Sequence, residues 1–237
     1  MKVKATDIGQ MASASDVIFD ALRAAIITGS MQDGEVLRQD NIARMFNVSR
    51  IPVREAISRL EQQGLVSTQR YRGAVVASLS VGEIQEIFEF RALVESEMVR
   101  LSIANISSET LALATKYCEA FSTETNSAKW GALNRDFHYS LYRDCQRPYY
   151  LEVVNAALDR IDRYLRAQLV LTDGMARARR EHQGILQAYI DRDADRGVEL
   201  IRQHILGAGQ SLIDFLNRQH QNPFDSATPG SGTAVRP

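Results

Sequence analysis

The chain has 237 residues, a length that favours two domains of ordinary size over one small one. Its 45% hydrophobic and 24% charged residues are typical of a globular protein in water and exclude both a largely disordered chain and an integral membrane protein. The net charge of −1 argues against indiscriminate binding to polyanions.

The N-terminal residues and the cysteines indicate the cellular compartment of the protein. Met1 to Gln10 contain two lysines but no apolar stretch of the kind found in a signal peptide, and no segment approaches the ~18 apolar residues of a membrane span. Cys118 and Cys145 lie far apart, so neither a disulfide framework nor a zinc ribbon is indicated, and we expect both to be buried. These features predict a cytoplasmic protein that does not associate with membranes.

The first part of the chain carries the pattern of three helices followed by a hairpin. Apolar spacing predicts helices at 15–28, 40–46 and 49–63. Gly29, Asn47 and Gly64 then stand where each helix would stop, and Ser49 is suited to capping the third. Two β-prone segments, 65–69 and 74–77, flank the basic turn Arg70-Tyr71-Arg72-Gly73. This order predicts a winged helix-turn-helix over residues 1–78.

The third helix has one apolar and one polar face. The apolar face is formed by Val53, Ala56, Ile57 and Leu60. Ser49, Arg50, Ile51 and Arg54 are left on the other face. Arg50 and Arg54 are four residues apart and share that face, where arginine side chains can bond guanine edges or phosphates. We expect these four residues to contact DNA, with Arg70, Arg72 and Gly73 of the hairpin reaching the neighbouring groove or backbone. The alternative is a solvated arginine face.

From Ser80 onward the pattern is helical. Apolar spacing predicts helices at 81–103, 108–121, 130–145, 148–171, 174–192 and 194–218. They predict an all-α bundle of six to seven helices over residues 79–220. The segment 221–237 is rich in Ser, Pro, Gly and Thr, so we expect a disordered tail. The predicted fold class is therefore mainly α, a winged helix-turn-helix followed by a helical bundle.

Three of the four histidines fall in the predicted bundle. They are His138, His182 and His204, and Asn134 precedes His138 by one helical turn, so both project from one face. Three imidazoles that converge inside a bundle can hold a divalent transition metal, with zinc or nickel expected. The alternative is three unrelated, hydrogen-bonded histidines.

The N-terminal motifs resemble a known family. Leu22-Arg-Ala-Ala-Ile-Ile-Thr-Gly29 and Val48-Ser-Arg-Ile-Pro-Val-Arg-Glu-Ala56 closely resemble the DNA-binding domain of the GntR family of bacterial regulators. The resemblance implies that Ser49, Arg50 and Arg54 contact the operator and that Gly73 lies at the wing tip. Asp40 departs from the family, which often has a basic or polar residue at the start of its second helix.

The C-terminal motifs resemble the FCD effector domain of the FadR-type subfamily. The resemblance rests on the segments Phe88–Glu95, Asn134–His138, Glu181–Ile185 and Gln203–Ile205. It implies a metal site of Asn134, His138, His182 and His204. The family commonly has Asp where this chain has Asn134, and the missing charge should weaken metal binding. Asp136 points to another side of the helix and is a poor replacement.

An effector site follows from the same resemblance. Arg91 matches a position that can line the pocket and anchor a carboxylate, although an ion pair with Glu95 one turn later is an equal alternative. Neutral imidazoles and an amide leave a bound cation its full charge, which favours a carboxylate effector such as an organic acid.

Together these features predict a transcriptional regulator, with repression as the expected mode, that is not an enzyme. We expect a homodimer on double-stranded operator DNA, because one recognition helix offers too few contacts for specific binding. A metal-dependent hydrolytic enzyme that uses the three histidines is the rival function. An architectural DNA binder without effector is the third alternative.

Overall fold

The computed structural model describes residues 13–171 and 174–221. Met1 to Gln10 and the predicted tail beyond Gln221 lie outside the described residues. Within the described ranges the chain forms nine α-helices, one 3₁₀ turn and one two-stranded antiparallel sheet. None of the helices in these ranges is both long and apolar enough to cross a bilayer.

The N-terminal unit is a winged helix-turn-helix, as predicted. Its elements are α1 (Ala14–Ile27), α2 (Gln39–Phe46), α3 (Arg50–Gln62), β1 (Val66–Gln69) and β2 (Gly73–Val76). The strands pair antiparallel with Val66 opposite Val76 and Gln69 opposite Gly73. Asn47 adopts the left-handed conformation, with φ of 52°, and so makes the tight turn between α2 and α3. One apolar cluster, including Ile26, Leu60 and Val66, forms the core of this unit.

The described part of the C-terminal unit is a bundle of six helices, within the predicted range of six to seven. Its helices are α4 (Val81–Asn105), α5 (Ser108–Thr123), α6 (Ser127–Tyr142), α7 (Pro148–Leu171), α8 (Gly174–Ile190) and α9 (Ala194–Gln221). The helix predicted at 130–145 begins earlier because the Asn126 side chain caps it by accepting from the Ala128 amide. It ends earlier because Arg143–Cys145 tighten into a 3₁₀ turn before Gln146, whose φ is 54°. Cys118 and Cys145 are buried free thiols.

Helix α7 connects the two units. Arg163 of α7 forms an ion pair with Asp33, at 2.8 Å, and donates to the backbone carbonyl of Ala77. The Tyr164 hydroxyl donates to Asp33 at 2.6 Å and accepts from the Leu79 amide at 3.1 Å. The segment Ala77–Leu79, which leads from β2 to α4, is therefore held against the bundle. The domain limits 1–78 and 79–220 stay predictions.

Candidate functional site

The polar face of α3 is free to meet a partner. Ser49, Arg50, Ile51 and Arg54 are all exposed, and Ile51 has 60% of its surface accessible. Val53 and Leu60, on the opposite face, are fully buried in the core of the winged unit. Packing therefore fixes the orientation of α3 and leaves the predicted DNA-contacting residues on the outside.

The two arginines of this face differ in their partners. Arg50 forms an ion pair with Asp40 of α2, whereas Arg54 makes no ion pair or hydrogen bond within the described parts of the chain. Ser49 occupies the N-cap position of α3, but its hydroxyl makes no cap hydrogen bond, contrary to the capping role that its position suggested. Asp40, which departs from the family pattern, thus bears directly on Arg50.

The hairpin turn presents an aromatic residue besides its arginines. Tyr71 has a φ of 67° and is 91% exposed, and the Arg70 guanidinium lies 5.0 Å from the centre of its ring. Arg72 instead donates to the carbonyl of Gly34 at 3.0 Å and so holds the wing against the loop after α1. Gly73 follows with φ of 79°, a conformation that favours glycine. Tyr71 was not among the residues predicted from the sequence to contact DNA, although its position in the centre of a four-residue turn was an available signal.

The three histidines predicted as ligands converge inside the bundle. His138 lies on α6, His182 on α8 and His204 on α9, and one ring nitrogen of each falls within 4.8 Å of the other two. All three side chains are buried. Nε2 of His138 lies 3.1 Å from Nε2 of His204, close to the ~3.4 Å between two nitrogens bound tetrahedrally to zinc at about 2.1 Å.

The outer nitrogens of two histidines are engaged by polar side chains. Nδ1 of His204 lies 2.7 Å from a Glu181 carboxylate oxygen, which can only accept, so the proton is on Nδ1. Tyr142 donates its hydroxyl to Glu95 at 2.5 Å, and its oxygen is left to accept from Nδ1 of His138 at 3.3 Å. Both Nε2 atoms then present lone pairs to each other. A metal ion between them would relieve the repulsion of the two lone pairs.

His182 has no hydrogen-bond partner at either ring nitrogen, although it is fully buried within the described bundle. It packs between the rings of Phe121 and Phe137, whose centres lie 4.7 and 4.4 Å away. Burial, and then the neighbouring His204, holds the pKa of His182 well below its usual value. Burial likewise lowers the pKa of His138, with His204 and His182 as further causes. Neutral imidazoles with free lone pairs are the form that binds metal.

Asn134 and Arg91 border the same site. Both line a cavity of about 30 Å³ together with His138 and His204, whereas Asp136 is exposed and does not belong to the histidine cluster. Arg91 also donates to Glu95 at 2.7 Å, with both side chains buried, so the ion pair foreseen as the alternative is present.

Two residues of the site, Tyr142 and Glu181, were not singled out from the sequence, and Glu95 was named only as a partner of Arg91. Glu95 and Tyr142 form the chain that reaches His138, and Glu181 bonds His204. Tyr142 lies one turn after His138, which was the available signal. The pairing of Glu181 with His204 joins α8 to α9, and such a contact follows only from tertiary packing.

A larger cavity lies between the two units, away from the histidines. It measures about 830 Å³ and is lined by Met31 and Asp33 of the winged unit and by Arg163, Tyr164 and Phe215 of the bundle, among others. None of the three histidines borders it. The cavity beside the histidines is far smaller and holds about one water molecule, so its walls must separate before an organic acid can enter.

Family models match both units. Residues 14–76 match the model described as bacterial regulatory proteins, gntR family, and residues 86–207 match the FCD domain. The two matches cover the winged helix-turn-helix and most of the bundle, including the three histidines and Asn134.

Individual relatives extend over most of the chain. The HTH-type transcriptional repressor GlaR of Escherichia coli is 30% identical over 196 residues, which cover 78% of this chain and 89% of that protein. A crystal structure of a GntR family member from Pseudomonas syringae is 34% identical, covers 89% of both chains and gives a TM-score of 0.55. A regulator from Rhodococcus, 20% identical, covers 86% of this chain and 99% of that one and shares the fold with a TM-score of 0.75. These comparisons offer no support for the hydrolytic enzyme.

Proposed function

Because the chain belongs to the GntR family of bacterial regulators and carries an FCD domain, it is a transcriptional regulator, and we propose that it is a repressor controlled by a small carboxylate bound at a metal ion. The observation that carries the proposal is the convergence of three buried histidines of which His182 has two unsatisfied nitrogens. A buried polar group without a partner costs about 1–3 kcal/mol, and a metal bond removes that cost. The repressor name of the GlaR relative supports the mode of regulation.

The residues present fit a metal ion. His138, His182 and His204 would hold zinc or nickel through neutral imidazoles, and Asn134, on the wall of the same cavity, is the proposed fourth ligand. When bound, such an ion would supply a full positive charge and an open coordination position inside the bundle. Glu181 and the pair of Tyr142 and Glu95 hold the proton of two imidazoles on Nδ1, so that Nε2 faces the site.

The charges around the cavity favour an anionic effector. Arg91 and Arg177 both line the cavity. Arg91 forms an ion pair with Glu95, and Arg177 forms one with Glu181, so the charges of the four side chains sum to zero. Asn134 adds no charge, and histidines that bind a metal ion do so as neutral imidazoles. The charge of the metal ion is then left for a carboxylate to neutralise, and Arg91 is the proposed anchor for it.

The proposed operator-contacting surface combines α3 with the wing. Arg50 and Arg54, with Ser49 and Ile51, would enter the major groove, and Arg70, Gly73 and the exposed Tyr71 would approach the adjacent backbone. We assign Arg72 the task of fixing the wing, since its guanidinium already bonds Gly34.

Asp40 should restrain this surface. Replacing Asp40 by Asn frees Arg50 and removes a negative charge from the face that meets phosphates. We expect about three- to tenfold tighter binding of the dimer to random-sequence duplex, measured by fluorescence anisotropy, with a steeper salt dependence. Glu86→Gln, which removes an exposed acid from α4, is the matched control and should leave the affinity unchanged. Equal effects of the two substitutions would assign the gain to net charge alone.

Tyr142 should orient His138. Tyr142→Phe removes the hydroxyl between His138 and Glu95, and we expect zinc affinity to fall about 10- to 100-fold, measured by competition with a chromogenic chelator. Tyr189→Phe is the matched control, because its buried hydroxyl donates to the Leu141 carbonyl at 2.9 Å and bonds none of the three histidines. If Tyr189→Phe lowers zinc affinity as strongly, the effect reports loosening of the bundle and not the orientation of His138.

A homodimer completes the proposal, because a two-fold operator presents one half-site to each recognition helix. Leu93 of α4 is 75% exposed and Phe90 is 37% exposed, which supports an apolar contact with a second copy. A single monomeric species in gel filtration at high protein concentration would contradict the dimer.

One experiment tests the function as a whole. The full chain is purified, its metal content is measured by mass spectrometry, and its affinity for a duplex selected from random DNA is compared before and after chelation and with added organic acids. We expect bound metal and an acid-dependent loss of operator affinity. Specific DNA binding that is indifferent to metal and acids would instead identify an architectural DNA binder.

A further inference from the structure

Asp159 of α7 is shared by both units of the protein. The side chain is 3% exposed, and its two oxygens face different helices. Oδ2 accepts from Nε of Arg23, on α1 of the winged unit, at 2.8 Å, and Oδ1 accepts from Nη1 of Arg135, on α6, at 2.7 Å. One buried carboxylate thus joins the DNA-binding unit to the helix that carries His138.

Arg135 is next to a proposed ligand on the same helix. It follows Asn134 directly and precedes His138 by three residues. Its guanidinium also lies 3.6 Å from Asp162, which accepts from Arg166 at 2.5 Å. A Cβ added at Gly131 of α6 would lie 2.6 Å from the Arg166 guanidinium, so α6 and α7 are in close contact over this region. A shift of α6 along α7 therefore cannot leave the Asp159 contacts unchanged.

Both α6 and α7 contribute to the walls of the histidine cavity, together with α4, α8 and α9. α6 contributes Asn134 and His138, and α7 contributes Leu165 and Leu169. Because the cavity measures only about 30 Å³, an occupant larger than a metal ion with one water must move these walls apart. A movement that parts α6 from α7 acts on the helix pair that Asp159 and Arg135 hold together.

We propose that Asp159 is the positioning residue through which the histidine site and the DNA-binding unit affect each other. The inference rests on the proposed metal site. In the structure, the Asp159 carboxylate accepts hydrogen bonds from two guanidiniums, those of Arg23 and Arg135. When α6 moves, the buried charge of Asp159 must be matched differently, and its hold on Arg23 changes, because a buried carboxylate tolerates the loss of a cation poorly. Arg23 in turn sets how α1 sits on α7.

Reciprocity gives a direct test that needs no knowledge of the effector. The probe is Zn²⁺ alone, and its affinity for the full chain is measured with and without a duplex selected from random DNA. In the unmodified protein we expect the duplex to change the Zn²⁺ dissociation constant by about 5- to 150-fold. In Asp159→Asn and Arg135→Gln the ratio of the Zn²⁺ dissociation constants with and without duplex should fall below about twofold. The Zn²⁺ affinity without DNA should stay close to that of the unmodified protein.

Asp33→Asn is the matched control. Asp33 crosses the same interface to Arg163 and Tyr164 of α7, but it bonds neither Arg135 nor Arg23, so its variant should keep the full ratio. Arg23→Gln, which alters a half-buried side chain, serves if Asp159→Asn does not fold. A ratio near one in the unmodified protein, or a full ratio in Asp159→Asn or Arg23→Gln, overturns the inference and leaves the metal site standing. Failure to bind Zn²⁺ at all overturns both.

Discussion

Arg54→Ala is expected to abolish specific operator binding while the fold and metal content survive. Arg54 projects from the exposed face of α3 and has no ion pair or hydrogen bond within the described residues, so its loss disturbs no internal contact. A bidentate arginine–guanine contact is worth about 1–3 kcal/mol of discrimination, and a dimer loses two such contacts. The affinity for the selected operator should therefore fall about 30-fold or more, measured by fluorescence anisotropy at moderate salt.

Two comparisons sharpen this experiment. Arg100→Ala removes the same charge from α4, where Arg100 forms an ion pair with Glu97 on the surface, and should leave operator affinity unchanged. Binding to random duplex should weaken far less than binding to the operator if Arg54 touches bases, whereas a uniform loss with a shallower salt dependence would assign it to phosphates. Full operator affinity in Arg54→Ala would show that another face of the unit meets DNA.

His182→Leu is expected to eliminate metal binding without destabilising the metal-free protein. In the metal-free chain His182 leaves two buried nitrogens unsatisfied between Phe121 and Phe137, and leucine fills an apolar environment of similar size without that cost. The melting temperature of the chelator-treated variant should equal or exceed that of the chelator-treated unmodified protein.

The response to metal separates a ligand from a merely structural histidine. Zinc at a hundred times its dissociation constant stabilises a folded protein by about 2.7 kcal/mol, so the unmodified chain should melt several degrees higher when Zn²⁺ is added. His182→Leu should show no such rise and no zinc by mass spectrometry. Retention of stoichiometric zinc in the variant would remove His182 from the proposed site.

Local signals in the sequence were sufficient to predict the helices and strands. Asn47, placed after the short second helix, adopts the left-handed conformation that its side chain tolerates, and the apolar spacing of α3 separated Val53 and Leu60 from Arg50 and Arg54. Both inferences depend on neighbours within a few turns. For the three histidines, spacing alone left unrelated residues as an alternative, and the resemblance to the FCD domain implied that they form one site.

Contacts between segments that are distant in the sequence could not be predicted from such local patterns. Nothing near Glu181 in sequence indicates that it bonds His204, and nothing near Asp159 indicates that Arg23, 136 residues earlier, is its partner. The hydrogen bond from Arg72 to the Gly34 carbonyl likewise arises only because the wing folds back on the loop after α1. Contacts of this kind are determined by tertiary packing, because the spacing of polar and charged residues along the sequence does not indicate which distant residues they bond.

The short segment Ala77–Leu79 has a practical consequence for building chimeric regulators. Arg163 of α7 donates to the Ala77 carbonyl, and Tyr164 accepts from the Leu79 amide. The connection between the two units is therefore a rigid linker and not a flexible one. Grafting the first 78 residues onto an unrelated sensor would leave these backbone groups to water and the orientation of the DNA-binding unit undefined. A working hybrid would have to import the matching surface of α7 along with the graft.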